Sequence, residues 1–352
     1  MNDALKNEAP AHHHDVLKRH QAVGALKRRY SLQNFAVVAI LLAIALLVPL
    51  LPIVKGWMLS QASLVIIYVI AAMGVAVLVG YTGLVSVGHG GFLAIGAYTS
   101  ALLTKHYGVD LVVGIVAAMF VSAFIGALLA LVFLRLSGAF MAIGTLGFAF
   151  FVGAVVNNVP IFEGREGISL DDNVVLGIQI GDFGFYYVSI VCLVVITLLI
   201  YCLVNSGTGR AFMALRDSEN AAMASGVNRL LYRTLAFTIS AGVTGIAGAL
   251  NAHVVNYVSA EVYADIWYSV DILMAVVVGG PAVLFGPYIG GIFVVMLPFF
   301  FEKLADYSFI LKGVVLILVL RFAPAGVGEL LMRPFQNARR RKLRAAAGSQ
   351  TD

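Results

Sequence analysis

Residues 111–134 read LVVGIVAAMFVSAFIGALLALVFL, twenty-four positions without one charged side chain. At about 1.5 Å per residue such a helix is roughly 36 Å long, enough to cross the ~30 Å hydrocarbon layer of a bilayer. It is apolar all round rather than on one stripe, so it belongs in lipid or in a deep core. Similar runs lie on both sides of it. The pattern predicts ten spans, at 34–54, 60–80, 84–104, 111–134, 139–157, 185–204, 232–254, 268–283, 286–301 and 308–322. The third is glycine-rich and the eighth and ninth are short, which suits broken or re-entrant helices. Open sheets cannot satisfy their backbone polar groups in lipid, so the fold class is all-α, a polytopic membrane protein. The bulk composition agrees. The chain of 352 residues is 61% hydrophobic and 12% charged, against roughly 45–50% and about 25% in globular domains. Too little charge remains to cover a soluble domain, which excludes a soluble enzyme, a nucleic-acid binder and a disordered protein.

The formal net charge of +5 reflects topology. With the N-terminus inside, eighteen of the 23 Lys and Arg residues fall on the inner side. They cluster at Lys6–Arg29, in 205–233 and in the tail from Arg333 to Arg344. Lys55, Lys105, Arg165, Lys303 and Lys312 fall outside. This positive-inside bias and an even number of spans put both termini in the cytoplasm. The organisation expected is a basic tail over 1–33, a transmembrane domain over 34–330 and a basic tail over 331–352. Residues 1–30 hold no apolar h-region and so do not read as a cleavable signal. His12, His13, His14 and His20 lack acidic or Cys partners spaced to close a metal site. Cys192 and Cys202 sit ten residues apart on one span, on different faces, and are expected in lipid or packing rather than in a disulfide.

Two loops are long. The outer one, 158–184, carries Glu163, Glu166, Asp171, Asp172 and Asp182 against Arg165. The inner one, 205–231, reads NSGTGRAFMALRDSENAAMASGVNRLL. Its alanines favour a helix, and Gly226 followed by Asn228 reads as a stop. Small residues beside Arg216, Asp217 and Glu219 make a shallow knob that another protein can accommodate; a helix lying on the lipid surface is the alternative. No G-x-x-x-x-G-K-[ST] occurs, so the chain has no Walker-type ATPase of its own. No nucleophile, base and orienting acid stand at catalytic spacing, so no catalytic residues are assigned.

The inner loop also carries a resemblance. Glu219-x-Ala221-Ala222-x-x-x-Gly226-x-Asn228, after Gly209-Arg210 and Arg216-Asp217, resembles the E-A-A type loop of ABC importer permeases. More closely, it is similar to the M-type permease of branched-chain amino acid importers. The likeness spans residues 60–330. It includes Gly80-Tyr81-Thr82-Gly83-Leu84-Val85-Ser86-Val87-Gly88-His89, then Phe92, Gly96, Ala97 and Tyr98. It continues through Leu134-Arg135-Leu136-x-Gly138, Thr145-Leu146-Gly147-Phe148, Ala236-Phe237-x-x-Ser240-Ala241 and Gly245-x-Ala247-Gly248-Ala249-Leu250. Gly279-Gly280 and Gly286-Pro287 match a late hairpin. The chain departs from the pattern at Phe162-Glu163-Gly164-Arg165-Glu166-Gly167, where T-G-G-x-x-G is frequent, at Ala282 and at Ala139.

The resemblance implies a permease subunit of an ATP-driven importer in a bacterial cytoplasmic membrane. Its partners would be a related H-type permease, two ATP-binding subunits on the inner face and a periplasmic solute-binding protein, with no nucleic acid and no cofactor. Gly209, Arg210, Arg216, Asp217, Glu219, Ala221, Ala222, Gly226 and Asn228 would form the coupling helix that meets the ATPase. The solutes implied are branched-chain or other hydrophobic amino acids. Related permeases handle urea, short amides or aromatic acids. A glycine-lined passive channel is the alternative from another class.

A substrate path is read from polar or flexible residues at membrane depth. Gly80, Gly83, Gly88, Gly90, Gly91 and Gly96 fall within seventeen residues, and each glycine weakens a helix by about 1 kcal/mol against Ala. Broken helices recur where transporters meet substrate. Ser86 and His89, three apart, would share a helix face there, with Gly88 and Gly90 beside them. Their alternative is packing through local hydrogen bonds. Asn157 closes the fifth span, and Asn251, His253 and Asn256 close the seventh, so they can border an outer vestibule. Asp271 opens the eighth span, as a solvated helix start, a contact to a substrate ammonium or a structural pair.

Overall fold

The computed structural model describes residues 37–50, 55–133 and 138–330, less residues 165, 171–172, 176, 264, 282, 301–307, 324–325 and 329. The histidine-bearing N-terminal tail, the basic C-terminal tail, Arg135, Arg165, Asp171, Asp172, Ala282 and Lys303 lie outside the described residues. The chain forms two units. One comprises residues 1–41 with 332–352 and is described only over its helical residues 37–41. The other, Leu42–Leu331, carries everything that follows.

A helix stands at each of the ten apolar segments. Their ranges are α1 Val37–Leu50, α2 Gly56–Ala76, α3 His89–Tyr107, α4 Leu111–Phe133, α5 Ala139–Asn158 and α6 Asp182–Asn205, then, after the inner loop, α9 Arg229–Val255, α11 Ile266–Gly279, α12 Gly286–Phe300 and α13 Ser308–Phe322. The inner loop forms α7 Gly207–Asp217 and α8 Glu219–Ala224, and a single turn, α10 Ala260–Tyr263, precedes α11. Among the described residues five helices are long and apolar enough to cross a membrane: α4, α5, α6, α9, and α2 with its π-helical extension Val77–Thr82. The others are shorter or less apolar. Large apolar side chains cover the outward faces of α4, α5 and α6, with Phe120, Phe124, Phe140, Ile143, Phe151 and Leu199 all more than 60% exposed. A soluble surface does not carry a belt of that kind.

The core is α9, which packs against α4, α3 and α2. Close approach sets this arrangement. A Cβ on Gly96 of α3 would lie 2.1 Å from the Gly245 carbonyl oxygen of α9, and one on Gly248 would lie 2.0 Å from that of Leu93. Apolar burial gives no net drive between helices in lipid, so backbone contact of this kind supplies dispersion instead. The alanine- and glycine-rich runs at 94–97 and 245–249 thus become a seam.

The outer connection folds onto the end of α9. Strand β1 (Ile168–Ser169) pairs antiparallel with β4 (Tyr257–Val258), Ile168 opposite Val258, and β2 (Val174–Val175) pairs with β3 (Ile178–Gln179). Buried His253 locks this cap. Its Nδ1 donates to Asn173 Oδ1 at 2.7 Å, since that amide oxygen can only accept, and Nε2 then accepts from Ser100 Oγ at 2.9 Å. Asn173 Nδ2 donates to the His253 carbonyl at 3.1 Å. Asn251 is likewise buried, accepting from Tyr263 Oη at 2.6 Å. These groups are braces between helices. Asn256 takes φ 55° where α9 ends.

Asp271 does not begin its helix. It is the sixth residue of α11, and Lys312 Nζ of α13 bonds both of its carboxylate oxygens, at 2.9 and 2.8 Å. Both side chains are under 15% exposed. Removing one partner strands the other charge, at a cost of about 3–5 kcal/mol. Asp271→Asn is therefore expected to lower the apparent Tm of the detergent-solubilised protein. Adding Lys312→Met should recover most of the loss, as read by fluorescence-detected size exclusion after a heat step.

Candidate functional site

The inner loop is two helices, not the single one expected. Ser218 breaks them with an extended backbone at φ −161°, and its Oγ accepts from Ala221 N at 3.4 Å, which caps α8. Ser206 caps α7 through Gly209 N at 3.3 Å, and Asn228 caps α9 through Leu231 N at 3.1 Å. Each short polar side chain meets an N–H that the helix start leaves free. The stop read at Gly226 is a Schellman turn: Val227 N bonds Ala222 O and Gly226 N bonds Met223 O, both at 3.0 Å, with Gly226 at φ +84°. Nothing lies within 4 Å of a Cβ built there, so Gly226→Val meets only the left-handed penalty of about 1–2 kcal/mol. Faster amide exchange across Ala222–Val227, with the apolar helices unchanged, is the expected result.

Glu219 points back at α9. One of its carboxylate oxygens meets Arg229 Nη1 at 2.5 Å and the other meets Arg233 Nη2 at 2.7 Å. This fork fixes α8 to the bundle. It leaves Asn220, Ala221, Met223, Ala224 and Ser225 on the free face, while Ala222 is buried beneath. On α7, Gly209, Ala211, Phe212 and Leu215 are buried, and Arg210 and Asp217 are exposed. Arg216 bonds Asp217 and also sends Nη1 to the Gly80 carbonyl at 2.7 Å.

Ser86, Gly88, His89 and Gly90 come together, though not on one helix face. The π-helical end of α2 closes at Gly83, φ +72°, and residues 83–88 form a non-helical strap before α3 begins at His89. The expected start of a helix at 84 is therefore displaced. The strap is held on several sides. Val87 N donates to Thr145 Oγ1 at 3.1 Å, and Gly90 N donates to Ser269 Oγ at 2.9 Å. Ser240 Oγ donates to the Gly74 carbonyl at 2.7 Å, which spends its only proton, so it must accept from His89 Nε2 at 2.8 Å. Neutral His89 then accepts at Nδ1 from Ser86 Oγ at 3.0 Å. Ser86 and His89 are each 1% exposed. His89→Ala should orphan the Ser86 hydroxyl, at about 1–3 kcal/mol, while Ser240 keeps its bond to Gly74. The expected outcome is a lower thermal stability with unchanged substrate affinity, measured by uptake kinetics beside a melt.

Asn157 stands apart from this strap. It lines an open cavity of about 650 Å³ with Phe150, Gly153 and Ala154 of α5, Ala260 and Glu261 of α10, and Asp265. Ser86, His89 and Asp271 are not in its lining. Glu261 and Asp265 had not been singled out from the sequence; a turn of helix between two apolar spans hides which carboxylates share a wall. Arg229 and Arg233 were read only as inner charge, because their pairing with Glu219 crosses a helix break. Among the described residues no cluster of His, Cys, Asp and Glu could hold a metal ion.

Comparison with known proteins adds a family. The family described as "Branched-chain amino acid transport system / permease component" matches residues 57–320. The high-affinity branched-chain amino acid transport system permease protein LivM of Salmonella typhimurium is 34% identical over 294 residues, covering 76% of this chain and 68% of the relative. That of Escherichia coli K12 is 34% identical over 316 residues, covering 80% and 74%. No solved structure matches.

Proposed function

The chain belongs to the permease family of branched-chain amino acid transport systems, and from that premise we propose that it is one permease subunit of an ATP-driven importer in a bacterial cytoplasmic membrane. The observation that carries this reading is the pair α7–α8. A free face of Ala221, Ala224 and Ser225 with Asn220 and Met223 is presented by a helix that Glu219 clamps to Arg229 and Arg233. A rigid, shallow knob suits a groove on an ATPase subunit. A helix resting on lipid would need neither the clamp nor the capped break at Ser218.

In this reading residues 34–330 form the transmembrane domain with ten crossings, and both tails lie in the cytoplasm. A related permease completes the path, two ATP-binding subunits sit beneath α7–α8, and a soluble binding protein delivers solute on the opposite face. That face is marked by the β1–β4 cap, at the other ends of α6 and α9 from the knob. The solutes are branched-chain or other hydrophobic amino acids. The cavity at Asn157 is the entrance, and the carboxylates of Glu261 and Asp265 on its wall favour a solute that carries an ammonium group. Ser86, Gly88, His89 and Gly90 support the path from behind, without touching solute.

Co-expression with its neighbouring permease and ATPase genes tests the assembly. The expected result is an ATPase that elutes with this chain in detergent and is lost when residues 218–226 are replaced by a Gly-Ser linker. An ATPase retained by the linker variant would place the docking surface elsewhere.

A further inference from the structure

We propose that Arg216 is a pin that transmits movement of α7–α8 to the strap 83–88 and through it to α5, and that it does not serve as a contact to the ATPase. The inference rests on reading α7–α8 as the element the ATPase moves.

A helix end leaves carbonyls without partners, and a cation placed there is favoured by the helix dipole. The π-helical end of α2 offers such a carbonyl at Gly80, and Arg216 Nη1 occupies it at 2.7 Å. The guanidinium is held at a second point, with Nε and Nη2 on Asp217 Oδ1 at 3.2 and 3.1 Å. The base of the stem also meets the break. A Cβ on Gly83 would lie 2.9 Å from Arg216 Cγ, and the left-handed φ of Gly83 turns the chain around that stem. Arg216 is thus bonded at its head and in contact at its base with the break between α2 and α3, while about a third of its side chain stays open to solvent.

The far side of the break has no slack. A Cβ on Gly88 would stand 1.8 Å from the Thr145 carbonyl oxygen, and Val87 N is bonded to the same residue. Thr145 lies on α5, whose later turns, at Phe150, Gly153, Ala154 and Asn157, line the outer cavity. A push on α7 therefore has a continuous, close-packed route to the cavity wall. Arg216 joins the inner loop, by a side-chain hydrogen bond, to Gly80 in the π-helical end of α2, three residues before the strap. It acts as a positioning residue, through Gly80.

The test uses two readouts. Spin labels go on Val85→Cys and Met223→Cys, both exposed positions, with Cys192→Ala and Cys202→Ala as background; they are read on the chain without ATPase, since Met223 lies on the face offered to it, and binding and uptake are read on the unlabelled chain. Their distance distribution reads the pin directly, whatever the solute. The assembled complex in proteoliposomes with its binding protein then gives leucine uptake per ATP hydrolysed. For Arg216→Ala the expected result is a distance distribution broadened against the parent, ATPase still bound, and uptake per ATP lower by about tenfold. Arg216→Lys, which keeps a cation and a donor, should restore a narrow distribution and most of the uptake. An unchanged distribution with the ATPase lost would make Arg216 a docking contact and overturn the inference. An unchanged distribution with unchanged uptake per ATP would overturn it too. If the parent chain binds no ATPase, the proposed function falls, while the label distances still decide whether Arg216 pins α7–α8 to the strap.

Discussion

Glu219→Ala is expected to release α8 from the bundle. Glu219 holds two arginines at 2.5 and 2.7 Å, and the side chain of Arg233 is only 12% exposed. Stranding that charge costs about 3–5 kcal/mol by analogy with broken buried pairs. Arg229, 39% exposed, adds little because solvent screens it. The penalty falls on the attachment of six residues rather than on the whole chain, because α9 packs independently against α2, α3 and α4. The variant should insert and purify at normal yield. ATPase co-purification and uptake should each fall by at least tenfold, roughly the effect of 1.4 kcal/mol in an equilibrium. Glu219→Gln keeps a carbonyl acceptor for one arginine and should fall between the two. Normal ATPase recovery with normal uptake for Glu219→Ala would show that the clamp is not what presents the knob.

Gly88→Ala is expected to have the other large effect, by a different route. Its new methyl carbon would stand 1.8 Å from a backbone oxygen of α5, where contacts under 3.0 Å are not sustained. Neither side can yield by turning a side chain. The strap has to lift by more than an ångström, which removes the Val87–Thr145 hydrogen bond at 3.1 Å. Ordinary overpacking costs about 1–3 kcal/mol, and a backbone-to-backbone clash belongs at or above the top of that range. Low yield or a clearly reduced apparent Tm, with no transport by any protein recovered, is the expected result. Gly147→Ala on α5 is the control. Nothing stands within 4 Å of its added carbon, so a gain of up to about 1 kcal/mol in helix propensity is expected instead. Equal melting temperatures for Gly88→Ala and the parent would mean that the strap is not seated on α5.

These two residues also show how far the sequence could be read. The ten helices were legible because lipid imposes one requirement, apolar side chains over a sufficient length, and that is local. The helix stop at Gly226 was within reach for the same reason, although Asn228, read as part of that stop, caps the start of α9. The break at Ser218 was not, because the alanines on both sides favour a continuous helix and only the geometry of attachment opposes it. Glycine density at 80–96 pointed to an interrupted helix. It could not say that α3 starts at His89, since that depends on Thr145, Ser240 and Ser269, each more than fifty residues away. His89 and Ser86 read together as one face of a polar path, and the structure gives them a bracing geometry off any common helix face. Asp271 shows the same limit. A structural pair is one of the readings its sequence position allows, but the partner, Lys312, is 41 residues on and reads only as an outer-side charge. For the cavity, Asn157 was visible as a polar residue closing an apolar span, whereas Glu261 and Asp265 reached the same wall only through folding.

The most direct measurement is leucine uptake into proteoliposomes that hold this chain, its partner permease and the ATPase subunits, with binding protein outside and Mg-ATP inside or absent. The account predicts uptake only when ATPase and nucleotide are both present, and its loss with Glu219→Ala. Uptake that continued at the same rate with the two permeases alone would contradict it and make the chain a passive pore.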